Sequence, residues 1–179
     1  MPFLQDLAKA HQNHEGWFKG SVSFRQNNPG NLRGKNGVFL TFSTYAEGFN
    51  ALQYDLRSKI FGTAPSIKRY MQGTGKTYQQ LVMQEYVAIY APSADRNNPI
   101  AYCNVLCRNL SKYNLTPETP LSVMAQLIRG EIQAAPHPVL PMTLEQRYEA
   151  IQNALKWAEP PRRNALIRLM ERIQKRLFP

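Results

Sequence analysis

The chain of 179 residues has only two cysteines, three histidines, no long apolar run and, from 17 to 43, no acidic residue at all. Cys103 and Cys107 lie four apart on an expected helix. Two cysteines make no disulfide framework, and no histidine pair stands near them to complete a zinc site. They read as small buried apolar residues. His11, His14 and His137 give no ligand spacing beyond His11-x-x-His14, so neither a metal nor any other cofactor is expected. No stretch approaches the roughly 18 consecutive apolar residues of a membrane span. The N-terminus, Met-Pro-Phe-Leu-Gln-Asp-Leu, lacks the basic start, apolar run and small-residue cleavage site of a signal peptide. The expectation is a protein made in the cytoplasm that reaches any external target only by delivery. Gly73-Thr-Gly75-Lys76-Thr77 ends like a phosphate loop. However, Tyr70 stands where the first glycine belongs and no apolar strand precedes it, which excludes a nucleotide site of that type.

Acidic residues are also scarce, 12 against 22 basic, leaving a formal charge of +10 that favours anionic partners. Half of the excess sits at the end. Residues 162–179 carry Arg162, Arg163, Arg168, Arg172, Lys175 and Arg176 against Glu171 alone, a net +5. No nucleic-acid motif accompanies the charge, so nucleic acid is not the expected partner.

At 43% hydrophobic residues the chain can bury a core. Helical periodicity opens at about 3–15. Residues 20–43 read as extended or hairpin structure, with a type II turn at Asn28-Pro29-Gly30-Asn31 and a short strand at 38–42. Thr44-x-x-Glu47 is a capping box for a helix of about 45–60, with Phe49, Leu52, Leu56 and Ile60 inward. A short helix near 66–72 follows. Thr77 with Gln80 marks a helix of about 78–90 that Ala91-Pro92 stops. Asn98-Pro99 opens one of about 99–112, and another runs about 120–134. Pro136-His-Pro138-Val-Leu-Pro141 is a stiff linker, after which 143–159 and 162–178 form a helical hairpin broken at Pro160-Pro161. The class is mostly α with a small β-element, organised as a domain of 1–135 and an appendage of 136–179. The hairpin's apolar stripes, Leu144 to Leu155 and Leu166 to Leu177, pack on each other, on the main domain or on a partner.

Chemistry concentrates in two short segments. Leu4, Ala8, His11 and Glu15 share one helical stripe, so Glu15 continues a buried face, and Gly16 supplies a left-handed stop. A carboxylate there opposes the negative end of the helix dipole. Burial and dipole together favour its neutral form. Arg25-Gln-Asn27-Asn28-Pro-Gly-Asn31-Leu-Arg33 is a polar turn whose amides and guanidiniums suit hydrogen bonding to hydroxyl and acetamide groups, although turn chemistry alone also accounts for Asn28 and Asn31. Trp17 either shields the Glu15 carboxyl from water or anchors a core.

Three blocks, Glu15-Gly16-Trp17, Arg25 with Asn27-Asn28-Pro29-Gly30-Asn31, and Tyr90-Ala-Pro92 … Asp95-Arg-Asn-Asn98-Pro99 … Tyr102, resemble the lysozyme-like superfamily. The likeness is nearest to phage and prophage cell-wall proteins, and to goose-type lysozymes and lytic transglycosylases. It spans about residues 3–110. It implies a lysozyme-like fold and, in the manner of an endolysin, cleavage of the β-1,4 bond between N-acetylmuramic acid and N-acetylglucosamine in peptidoglycan. Glu15 is then the general acid and base. Arg25, Asn27, Asn28, Asn31, Tyr90, Asp95, Asn98 and Tyr102 are the expected substrate-binding residues. The absence of any carboxylate from 17–43 points to the goose-type and transglycosylase pattern of a single Glu. Glu47 is explained by its cap, and Asp95 and Glu131 are the candidate helpers. Expected partners are peptidoglycan strands and, through the basic hairpin, an anionic wall polymer or a virion or secretion component. Delivery is expected by a virion, a holin or a secretion machine. The rival reading is an inactive lysozyme-like virion-structural or wall-binding protein.

Overall fold

The computed structural model describes residues 2–34, 36–95 and 97–133, together with Ile167, Met170, Glu171 and Gln174. The chain divides into two units, Met1–Pro136 and His137–Pro179. The expected linker and basic hairpin of 136–179 fall outside the described residues, those four apart.

Helix α1 (Pro2–His14) packs against three later helices, α3 (Tyr45–Ile60), α6 (Pro99–Asn109) and α7 (Leu121–Arg129). Such wide contact follows from its sequence: Phe3, Leu4, Leu7, Ala8, Ala10, His11 and Gln12 are all buried, more than a single stripe. It ends where the sequence places the end. Gly16 has φ +73°, and the Trp17 N–H reaches back to the Gln12 carbonyl at 3.3 Å, the long bond of a Schellman stop.

Helix α3 begins at the expected capping box. The Glu47 N–H donates to Thr44 Oγ1 at 3.2 Å, and Glu47 Oε2 accepts from the Thr44 N–H at 3.2 Å. Leu52, Leu56 and Ile60 are wholly buried, each burial worth about 1.5–3 kcal/mol. Phe49 packs at the edge of that core. Helix α4 (Pro65–Thr74) follows.

The β-element is smaller than the sequence suggests. Among the described residues there are two isolated bridges, Arg33 with Phe39 and Val82 with Pro120. Residues 22–25 form a short helix, α2 (Val22–Arg25), because Ser21 caps it by accepting the Phe24 N–H at 3.2 Å. Beyond it the Asn28 side chain clamps the backbone at 32 and 40, which also share the Leu40 N–H to Leu32 carbonyl bond at 2.8 Å. Asn28 Nδ2 donates to the carbonyls of Leu32 and Leu40, both at 2.9 Å, and its Oδ1 accepts the Leu32 N–H at 2.8 Å.

The turn at 28–31 is not type II. The Asn31 N–H closes on the Asn28 carbonyl at 3.1 Å, but the left-handed residue is Asn31 (φ +48°), not Gly30. Gly30 is glycine for want of space: a Cβ there would lie 2.5 Å from Leu52 Cδ1. Gly48 does the same from the other side, since its Cβ would fall 1.7 Å from the Asn27 carbonyl oxygen. These two positions let the polar turn sit directly on α3.

The expected helix of 78–90 is broken in two. Thr77 and Gln80 hold only a single 3₁₀ turn, Tyr78–Gln80. The next residues pair with a distant segment instead: the Met83 N–H donates to the Thr119 carbonyl at 2.8 Å and the Leu121 N–H to the Leu81 carbonyl at 2.9 Å. Helix α5 (Met83–Tyr90) starts afresh and packs on α6. Cys103 is buried in the core and Cys107 half-buried, with its thiol 3.8 Å from Met83 Sδ. Among the described residues no helix is long and apolar enough to cross a membrane.

Candidate functional site

Where α1 ends, the Glu15 side chain enters a cavity of about 850 Å³. Four segments wall it: the α1 end, the turn 30–33 with 39–40, one flank of α3, and the Tyr90–Asn97 loop. Two neutral donors hold the carboxylate. Asn31 Nδ2 donates to Oε2 at 2.9 Å and to the Glu15 carbonyl at 3.2 Å. The Tyr102 hydroxyl donates to Oε1 at 2.8 Å. Asn31 makes these contacts from a left-handed backbone conformation, φ +48°.

Behind the carboxylate lies a buried polar core. The His11 ring is fully buried, with Nδ1 2.7 Å from the Tyr102 hydroxyl and Nε2 2.7 Å from the Tyr86 hydroxyl. Burial pushes the imidazole down to about 3, helped by the nearby positive ends of His14 and Lys59, so the ring is neutral. Burial likewise pushes the hydroxyls of Tyr86, Tyr90 and Tyr102 well above the usual tyrosine range, with the Glu15 charge adding to the effect. His14 stacks on the Tyr102 ring at 3.7 Å and covers it from solvent. Burial lowers the His14 ring too, opposed by Glu15.

The expected substrate contacts divide. Glu15, Asn31, Tyr90 and Asp95 line the cavity. The Tyr90 hydroxyl, however, is occupied in donating to the Gly30 carbonyl at 2.8 Å, and the residue is partly buried against the core. Tyr102 is 2% exposed and meets Glu15 rather than the open cleft. The other four are off the cavity wall. Arg25 reaches the Gly20 carbonyl, and Asn27 donates to the carbonyls of Phe42 at 3.1 Å and Ser43 at 3.3 Å. Asn28 is wholly buried in the clamp described above, and Asn98 caps α6 by accepting the Ala101 N–H at 3.0 Å. Each satisfies nearby backbone, so these side chains build the turn and the helix start. Trp17 packs on Phe24 and Tyr45 at about 5 Å, an anchor away from the cavity. Glu131 follows α7 and pairs with Arg129, likewise off the wall.

The wall also contains residues that the sequence reading passes over: Asn50, Tyr54, Asp55 and Lys59 of α3. Asp55 Oδ1 is tied to Lys59, whose Nζ lies 5.4 Å above the Tyr90 ring. The second oxygen, Oδ2, is buried with no hydrogen-bond partner among the described residues. Tyr54 stands at the rim, 77% exposed. The signal for Asp55 and Lys59 was present, because 51, 55 and 59 repeat at i, i+4 beside the apolar stripe of 52, 56 and 60. Arg33 completes the wall, its guanidinium 4.2 Å over the Phe39 ring and donating to the Gly37 carbonyl at 2.8 Å. Comparison with known protein families, with curated proteins and with solved structures finds no match for this chain.

Proposed function

We propose that this protein is a peptidoglycan-cleaving muramidase of lysozyme-like fold, acting on the MurNAc–GlcNAc β-1,4 bond with Glu15 as general acid and base. The observation that carries the reading is the Glu15 carboxyl itself: it is held by Asn31 and Tyr102 at the wall of an 850 Å³ groove, and among the described residues no cation is bonded to it. A carboxyl without a counter-ion can hold or release a proton. A groove of that volume takes a few sugar units, and it carries the groups that sugars use. The amide of Asn50 and the carboxylates of Asp55 and Asp95 suit hydroxyls, and the exposed ring of Tyr54 suits a sugar face.

In this reading Glu15 protonates the leaving glycosidic oxygen as the C–O bond breaks. The resulting carboxylate then takes a proton from water, giving a reducing end, or from the muramoyl 6-hydroxyl, giving a 1,6-anhydro end. Two further carboxylates line the groove, Asp55 from α3 and Asp95 from the loop after α5, and neither comes from the β-region. No cofactor takes part. Incubation with purified sacculi, followed by mass analysis of the released fragments, tests the reading. New reducing or 1,6-anhydro muramoyl ends are expected. Binding to sacculi without new ends would favour an inactive wall-binding or virion-structural protein.

A further inference from the structure

The polar core behind Glu15 is organised in one direction. Three contacts run through it in sequence: Tyr86 hydroxyl to His11 Nε2 at 2.7 Å, His11 Nδ1 to Tyr102 hydroxyl at 2.7 Å, and Tyr102 hydroxyl to Glu15 Oε1 at 2.8 Å. The members come from three elements, α5, α1 and α6, and Tyr86, His11 and Tyr102 are each at most 2% exposed. An ionised carboxylate only accepts, so Tyr102 must donate to Oε1. The Tyr102 oxygen then accepts from His11, which fixes the Nδ1–H tautomer. The bare Nε2 accepts from the Tyr86 O–H. One arrangement of protons satisfies every group, and a neutral imidazole is required for it.

The reverse arrangement fails at its far end. A proton on Oε1 would donate to Tyr102, Tyr102 to Nδ1, and Nε2–H to the Tyr86 oxygen. Among the described residues the Tyr86 O–H would then have no acceptor within hydrogen-bond distance, since His11 is its partner there and it is fully buried. A buried hydroxyl without an acceptor is costly. The other carboxylate oxygen, Oε2, carries no such constraint: it meets Asn31 and the groove.

We propose that Tyr86, His11 and Tyr102 form a directed hydrogen-bond chain that holds Glu15 Oε1 as a permanent acceptor and leaves Oε2 as the oxygen that carries and exchanges the proton. The catalytic consequence rests on the glycan-cleaving reading above. There, Oε2–H is the donor to the glycosidic oxygen and Oε2 later receives the proton from water or hydroxyl, while Oε1 stays bonded to Tyr102. His11 and Tyr102 are positioning residues, not catalytic ones. The titratable groups facing the chain are Glu15 itself, His14 on the Tyr102 ring, Tyr90, Cys103, and Asp55 and Lys59 from α3.

The test combines two measurements on the full-length protein. Nitrogen-15 NMR of labelled histidine should show His11 neutral at pH 6–8, with Nδ1 protonated and Nε2 bare. In parallel, Tyr102→Phe keeps the ring and its stacking on His14 but removes the link. It should lower kcat on glycan oligomers about 10- to 100-fold, the worth of a hydrogen bond to a charged group. KM should stay within about twofold of wild type. An Nε2–H tautomer or a charged His11 overturns the proposal. So does a folded Tyr102→Phe protein with wild-type kcat, for then the chain is only core packing. If wild type cleaves no glycan yet His11 is the Nδ1–H tautomer, the muramidase reading falls while the directed chain is supported.

Discussion

Glu15 and Glu85 are the same side chain in opposite circumstances. Glu85 opens α5, where the helix dipole favours negative charge, and its carboxylate is fully used. It accepts from the Val82 N–H at 3.1 Å, the Tyr70 hydroxyl at 2.8 Å and Lys76 Nζ at 2.6 Å. Burial pushes the Glu85 carboxyl up, but the hydrogen bonds from Lys76, Tyr70 and Val82 outweigh it and hold the group below the usual range. Glu15 follows the end of α1, where the dipole opposes its charge. It has two neutral donors and a groove in front of it. The difference teaches that a counter-ion turns a carboxylate into a structural staple, whereas neutral donors orient it toward the groove.

The sharpest way to break this contrast is Glu15→Gln. The amide keeps the size and one of the two acceptors, but its NH2 meets a donor at Asn31 or Tyr102, so the melting temperature should fall modestly with the fold retained. Release of muramoyl ends from sacculi should drop by about 10²–10⁴-fold. Wild-type lysis by that variant would put the chemistry elsewhere, with Asp55→Asn and Asp95→Asn the next variants to assay.

Asn28→Ala attacks the scaffold that brings Asn31 to Glu15. It removes three buried hydrogen bonds and should cost about 2–4 kcal/mol in urea unfolding. Activity should be lost with the fold and not ahead of it.

Acid titration distinguishes the neutral core behind Glu15 from the ionic cluster at Glu85. The folded-state value of His11 is depressed to about 3 from 6.5. The unfolded chain therefore binds the extra proton first, and stability should fall as pH drops from about 6.5 toward about 3. The slope from this one group is at most about 1.4 kcal/mol per pH unit. His11→Gln should flatten that part of the stability–pH curve; an unchanged slope would mean the ring is not buried neutral.

Glu85→Gln should lower stability by about 1 kcal/mol with lysis per folded molecule intact. The Glu85 carboxyl is depressed in the folded state, so its contribution is complete above the usual carboxylate range and disappears as pH falls through the folded value. The variant should lose this dependence in acid, below the usual carboxylate range. The smallest effect belongs to Glu47→Gln, because glutamine still closes a capping box. Thermal melting and sacculus digestion should both match wild type.

Much of the helical frame was legible because its signals are local. The Thr44–Glu47 box, the Gly16 stop and the Asn98-Pro99 start each act within a few residues, and α1, α3 and α6 begin or end there. The stripe joining Leu4, Ala8, His11 and Glu15 likewise set the carboxylate on the continuation of a buried face. Where local signals competed with distant partners, the sequence misled. The Thr77–Gln80 box is real but holds one turn, because residues 81–83 bond to 119–121. Arg25, Asn27, Asn28 and Asn98 look alike as donors to a ligand and as donors to backbone, and only packing reveals which carbonyls lie within reach.

What the sequence by itself determined is therefore the mostly helical class, the position of Glu15 and the polar turn that follows it, all consequences of short-range periodicity and capping. The tertiary structure alone decided which side chains surround that carboxylate. Asn31 is 16 residues away, Tyr102 is 87 away, and the His11 contact to Tyr86 spans 75. Asp55 and Lys59 reach the same cavity from α3. Contacts of that span leave no periodic trace in a single sequence; they arise because α1 packs on α3 and α6, α5 packs on α6, and the turn fits against α3 only through Gly30 and Gly48.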